Sequence, residues 1–380
     1  MKFNSVIGLG PKKKQLIKTV NDGHVSHALM FHGPEGGGNF PLALAFASYI
    51  LCENPGEDDR CGQCPACKQL DKLSHPDLHF SFPFVKSSSP KIETTERHQR
   101  EFAETVLKNP YLTLAEWELQ LAGGKKSIIT AEEANNIVKA LSLKSFSRGY
   151  KFMVIWMPEK LNIAASNKLL KTLEEPTDRT IIILVCNSTE GLLPTILSRV
   201  QEVRCDALSE GEIAEALTVR DGVAWNDAES YAARAEGSYS KARRLMGEDE
   251  QRSANLEMFV GWMRHCFKVS FTEIFKLADA FAKLGKDGQQ QFIDYALEYI
   301  HGSVLHEFAG RENALFDAKE AAFAAKFAPY ITAGEIGRLH DVLSEGHYLV
   351  ERNANANLLF THMSLELIRY FAARKAGHNA

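Results

Sequence analysis

Four cysteines are spaced as Cys52-x8-Cys61-x2-Cys64-x2-Cys67. Zinc is held well by four soft or borderline ligands at the corners of a tetrahedron, and a CxxC pair can grip one ion from a tight turn. Gly62 and Pro65 favour such turns. The spacing therefore assigns Cys52, Cys61, Cys64 and Cys67 as ligands of one Zn2+. Four thiolates leave no coordination position for water, so the expected role is structural. Two other readings compete: four buried thiols without metal, and a redox CxxC. The second is weakened by overlapping CxxC units with no thioredoxin-like surroundings. Cys186, Cys205 and Cys266 are expected to be core residues; Cys186 lies in an apolar strand and Cys266 on a helix.

The second group with chemical potential is Gly33-Pro34-Glu35-Gly36-Gly37-Gly38-Asn39-Phe40. It follows an apolar run and opens an apolar helical stretch, which is the setting of a phosphate-binding loop. A working loop ends in Gly-Lys-Ser/Thr. Here Asn39 stands at the lysine position and Phe40 at the hydroxyl position. Asn39 brings no charge to the β and γ phosphates, and Phe40 cannot hold Mg2+. Backbone N–H groups around Gly33, Gly36 and Gly38 could still cradle an anion. A partner strand, Phe152–Trp156, should end in an acidic pair that holds Mg2+. It ends in Trp156-Met157, with Glu159 three residues past Trp156. Two separate parts of one nucleotide pocket are stripped, so a degenerate NTPase fold without hydrolysis is expected. The competing reading is a chance match of a glycine-rich loop.

The elements that must position these groups follow from periodicity. Ala28–Phe31, Leu78–Phe82, Phe152–Trp156, Ile181–Cys186 and Val203–Cys205 are expected strands. Continuous apolar runs such as the third and fourth imply burial on both faces. Helices are expected after the glycine loop, over Ala131–Leu143, and from Leu161 to Leu173, with Pro176 as the stop. Strands alternating with helices imply a parallel sheet covered on both sides. Residues 84–126 turn polar, with Ser87–Pro90 and a charged run from Glu93 to Glu104, and read as an insertion with some helix, outside the core. Past residue 206 strand signals vanish. Ser209–Leu217 and Ala228–Met246 are expected short helices split by a turn at Val219–Trp225. Helices follow from Gln251 on, with Leu256, Phe259, Val260, Met263 and Phe267 marking one face and Phe360, Met363, Leu367, Tyr370 and Phe371 another. The expected organisation is an α/β domain over 1–206, carrying the zinc module (52–67) and the insertion (84–126). A small helical domain over 207–250 and a larger all-α domain over 251–375 follow.

Bulk properties narrow the function. Lys plus Arg number 44 against 48 Asp plus Glu, a net charge of -4 over 380 residues. A protein that mainly wraps nucleic acid would show a basic excess. No apolar run has the length of a membrane span or a signal peptide, so cytoplasmic residence is expected.

Longer motifs sharpen the reading. Asn167-Lys168-Leu169-Leu170-Lys171-Thr172-Leu173-Glu174-Glu175-Pro176 resembles the NxLLKxLEEP signature of the bacterial clamp-loader AAA+ family. Ser26–Pro34 is similar to that family's HAxLFxGPxG, the four cysteines match its zinc module, and Glu351–Asn355 resembles a collar-helix motif. The resemblance implies a RecA-like AAA+ domain, a helical lid and a C-terminal helical collar. It also implies partners: a hetero-pentameric ring with a delta subunit and three gamma/tau motor subunits, which opens the sliding clamp and places it on primed DNA. Motor members keep the lysine and the acidic strand end, so this chain sides with the non-hydrolysing kind. The family's Ser-Arg-Cys motif presents an arginine to ATP held by a neighbour. Here it reads Ser198-Arg199-Val200. The exchange of Cys for Val leaves the guanidinium in place, so Arg199 is expected to act in trans.

Three alternatives stay open. The chain could be an active motor ATPase, against which Asn39 and Phe40 speak. It could be a zinc-knuckle nucleic-acid-binding protein, although the acidic linker Glu53–Asp59 would repel phosphate. It could be a scaffold in which Arg199 only caps a helix end. Asn187 reads as a strand-end turn residue, Lys12–Lys14 as a solvated helix face, and Trp156 as packing over the pocket.

Overall fold

Strands form where β-branched and aromatic residues run together, and in the computed structural model five of them make one parallel sheet in the order β2-β3-β4-β1-β5. The structure describes residues 1–85, 94–122, 126–147, 149–309, 318–327 and 336–377. The Ser87–Pro90 stretch lies outside them. The elements run α1 (Gly10–Asn21), β1 (Ala28–His32), α2 (Asn39–Ile50), α3 (Pro65–Leu70), β2 (Leu78–Ser81), α4 (Gln99–Lys108), α5 (Leu114–Ala122) and α6 (Ala131–Ser142). Next come β3 (Lys151–Trp156), α7 (Ile163–Glu174), β4 (Thr180–Cys186), α8 (Pro194–Leu197), β5 (Gln201–Arg204), α9 (Glu210–Asp221), α10 (Trp225–Arg234) and α11 (Tyr239–Lys268). Last are α12 (Phe271–Lys283), α13 (Gly285–Ala309), α14 (Ala318–Phe327), α15 (Ile336–Glu351) and α16 (Ala356–Gly377). The chain divides into two compact units, 1–246 and 247–380.

In the first unit, residue alternation sorts the sheet's side chains. Phe31, Val154, Trp156, Ile183 and Val185 enter the core on one face. Met30, Met153, Ile155, Ile182 and Leu184 enter the core on the other. Every residue of β3 and β4 is buried, and after Lys151 and Thr180 at their starts these strands are apolar rather than alternating. Helices α6, α7 and α9 start on side-chain caps: Thr130 accepts from Glu133 N–H, Asn162 from Ala165 N–H, and Ser209 forms a capping box with Glu212. Gly222, at φ 72°, ends α9.

Three expectations need correction. The turn after α9 is shorter than Val219–Trp225, because Val219–Asp221 remain helical. The helix expected over Ala228–Met246 is two, α10 and α11, broken at Gly237, which adopts φ 80°. The larger correction concerns 84–126. Its helices α4 and α5 deliver Phe102 and Trp117 into the sheet core, both at most 1% exposed. Phe102 stacks on Phe82 at 3.9 Å, Trp117 meets both edge-on, and the Trp117 indole donates to Pro83 O at 2.8 Å. The polar composition of this segment hides a few large aromatics that carry its packing. Trp117→Ala is therefore expected to cost about 3–5 kcal/mol in urea unfolding. A loss below about 1 kcal/mol would mean that the segment is peripheral.

The second unit is all helix among the described residues. Trp262, Phe259, Phe281, Phe292 and Phe360 form its centre, and the Trp262 indole donates to Ser364 Oγ at 2.8 Å. The two expected faces are there: Leu256, Phe259 and Met263 are buried, as are Phe360, Met363, Leu367, Tyr370 and Phe371, and Val260 and Phe267 pack at the margin. The Glu351–Asn355 motif is a turn between α15 and α16. Asn353 sits at φ 58° and Asn355 caps Leu358 N–H at 3.1 Å. No helix among the described residues is long and apolar enough to cross a membrane.

Candidate functional site

The chemistry-bearing residues lie at three places around the sheet. The first two are at opposite ends of α2, whose twelve residues span about 18 Å.

At the C-terminal end of α2, the four sulfurs of Cys52, Cys61, Cys64 and Cys67 all lie within 4.8 Å of one another. Individual Sγ–Sγ separations are 3.5 Å for Cys52–Cys61 and Cys52–Cys67, 3.9 Å for Cys61–Cys67 and 4.0 Å for Cys52–Cys64. Zn–S bonds of about 2.3 Å at tetrahedral angles require about 3.8 Å between sulfurs, so the cage has the size of a zinc site. Gly62 makes the tight turn at φ 75°, and Pro65 starts α3. Backbone N–H groups of Cys61, Gly62, Gln63, Cys64 and Cys67 point at the sulfurs at 3.3–3.4 Å. Such donors stabilise thiolate. The Gln63 and Cys64 N–H groups pull the Cys61 thiol down to about 6. Burial pushes Cys52 up to about 12, a cost that a bound cation removes. Around the cage, buried Arg60 donates to Cys67 O and Met1 O, both at 3.1 Å, and pairs with Asp71. The acidic linker is also occupied locally: Asp59 accepts from Phe3 and Asn4 N–H, and Glu53 from Ala66 N–H.

At the N-terminal end of α2, Gly36 and Gly38 adopt φ 70° and 102°, and a Cβ on Gly33 would come within 2.3 Å of Cys205 O. These positions require glycine for conformation and space. Asn39, at the lysine position, is buried. It turns to the end of β4, donating to Cys186 O at 2.8 Å and Asn187 Oδ1 at 3.4 Å. Asn187 in turn donates to Glu35 at 3.3 Å. Phe40 is buried and faces Trp156 at 5.8 Å and Phe102 at 6.1 Å between ring centroids. The residue after Asn39 thus packs on the last residue of β3. The carboxylate after β3, Glu159, is mostly buried and its Oε2 has no partner. Burial holds its carboxyl above the usual range, against the pull of the Glu159 and Asn187 N–H groups.

The third place is the turn between α8 and β5. Arg199 Nε donates to Glu174 Oε1 at 2.7 Å, Nη2 reaches the same oxygen, and Nη1 donates to Thr195 O at 2.7 Å and Ser198 Oγ at 3.2 Å. The arginine therefore closes the C-terminal end of α8 and also pairs with the last residue of α7. Sequence reasoning named Ser198 and Arg199 but not Glu174 as their partner. Its signal was a glutamate at a helix C-terminus, where the helix dipole disfavours negative charge. Cys186, Cys205 and Cys266 are buried as expected.

Comparison with known proteins places the chain in a family. The sequence model described as "DNA polymerase III, delta subunit" matches residues 10–209, more than half of the chain. DNA polymerase III subunit delta' of Pseudomonas aeruginosa is 29% identical over 238 residues, which is 61% of this chain and 60% of that protein. The Haemophilus influenzae subunit of the same name is 30% identical over 51% of this chain and 46% of that protein. The chain thus spans about half to three-fifths of the length of these relatives. A gamma subunit-related protein from Thermotoga maritima aligns over 95% of this chain and 99% of its own, at 15% identity and a TM-score of 0.36. With the family match running from α1 to the turn before α9, the chain belongs to the DNA polymerase III delta-subunit family, on the side of its delta-prime members.

Proposed function

We propose that this chain is the non-hydrolysing, delta-prime-type subunit of a replicative clamp loader, which helps place a sliding clamp on primed DNA. The observation that carries the reading is the Phe40–Trp156 contact, because aromatic rings stand where a magnesium site would need a hydroxyl and a carboxylate. Its partners on this reading are a delta subunit and gamma/tau motor subunits in a five-membered ring, in the cytoplasm. The helices of 207–250 serve as the lid and those of 251–375 as the collar through which subunits assemble. The cysteine cage holds a structural Zn2+. Arg199, supported by Ser198, reaches the ATP of the adjacent motor subunit, where a guanidinium supplied in trans stabilises charge on the transferring phosphoryl group.

The isolated chain is expected to release no phosphate from Mg-ATP above a protein-free blank. Sustained turnover by the purified chain would overturn the reading and make it a motor subunit. The second reading, a passive scaffold, is favoured by one observation: Arg199 already has partners within its own chain. The Arg199 substitution argued in the Discussion separates the two.

A further inference from the structure

Resting on the assignment of Arg199 as an arginine that acts in trans, we propose that Glu174 is its positioning residue. It is a charge latch that holds the guanidinium folded back until the neighbour's triphosphate takes it over.

The geometry identifies what is contested. A guanidinium offers a planar two-donor edge that fits a carboxylate or a phosphate, and the Nε/Nη2 edge is one such fork. Glu174 occupies that edge, with Nε and Nη2 both directed at Oε1. A phosphoryl group that took the same edge would have to displace it. The remaining nitrogen, Nη1, is held separately by Thr195 O and Ser198 Oγ. Releasing Glu174 would therefore leave Arg199 aimed by its other two contacts rather than loose. Exchange of partners needs no rearrangement of α8.

The placement of Glu174 argues that this pairing is its task. It is the last residue of α7, at the negative end of the helix dipole, where a carboxylate works against helix stability. Arg199 offsets that cost. Exposure sets the strength of the latch. The side chains are 29% and 47% exposed, so water and salt screen the pair. A buried pair would lock the arginine. A screened one yields to a phosphoryl group of higher charge.

The test uses the assembled ring, with Glu174→Gln, Glu174→Asp, Arg199→Ala and the double variant Glu174→Gln/Arg199→Ala. Steady-state hydrolysis is read as kcat/KM for ATP, alongside thermal melting of each chain. Glu174→Gln keeps the shape and removes the charge. It is expected to raise kcat/KM by about threefold, the size of effect an exposed ion pair carries. The gain should shrink as salt is raised. Glu174→Asp, which restores the charge, should return toward the parent. In the Arg199→Ala background Glu174→Gln should do nothing, because the two act as one unit. If Arg199→Ala reduces turnover while Glu174→Gln leaves kcat/KM unchanged or lowers it, the latch is wrong and the trans arginine stands. If Arg199→Ala itself leaves turnover unchanged, the arginine reading fails and the latch falls with it.

Discussion

Replacing Arg199 with alanine is expected to leave the chain folded and the ring assembled, and to slow hydrolysis at the adjacent motor site by about a thousandfold or more. The size follows from the role proposed for the group. Charge spreads over the oxygens of the transferring phosphoryl group, and a fixed guanidinium in a water-poor interface meets it without reorganisation. The fold should tolerate the change. Arg199 is surface-lying, and its contacts to Glu174 and Thr195 are an exposed ion pair and a helix-end hydrogen bond, together worth about 1 kcal/mol. Arg199→Lys should rescue little, because an ammonium lacks the two-donor edge. The measurement is single-turnover ATP hydrolysis by rings carrying each variant. Rates equal to the parent's would reduce this chain to a scaffold.

Removing the metal is the second large effect. The purified chain is expected to hold about one zinc ion. Cys67→Ser, at a sulfur that is fully buried, should lose it. Structural zinc in small modules contributes about 10–16 kcal/mol of apparent binding energy. Here the cage also closes the end of α2 and anchors α3 through Cys64 and Cys67, so part of that energy belongs to the first unit. A loss of about 5 kcal/mol would lower its melting temperature by about 10–20 °C. Elemental analysis and a melting curve before and after chelation read both. A chain that is metal-free as purified, under conditions without chelator, would remove zinc from the account.

Much of the site could be read in advance because its residue types are informative alone. Four cysteines at that spacing form the cage, and the glycine run before Asn39 and Phe40 is the loop that joins β1 to α2. The strands β3 and β4 were legible because their central residues are apolar on both faces. What could not be read was partnership across the sequence. Trp117 lies in a polar stretch that suggests a surface insertion, and only tertiary contact shows that Phe82, Phe102 and Pro83 receive it. Glu174 belongs to a recognisable motif, but its pairing with a residue 25 positions later depends on how α7 and α8 meet. Asn39 differs again. Its loss of charge is visible, whereas its bond to Cys186 O needs β4 to lie beside β1.

The Phe40–Trp156 pair also bears on reversibility. Restoring a hydroxyl at one position and a carboxylate at the other, one step at a time, would first carve a hole beside Phe102. Each truncation costs about 3–5 kcal/mol, and a new acid would stay unneutralised until its counter-ion site was whole. Each single step is therefore destabilising on its own. On the proposed reading, restoring hydrolysis would therefore take several changes together, and reliance on a neighbour's ATP would be fixed by packing.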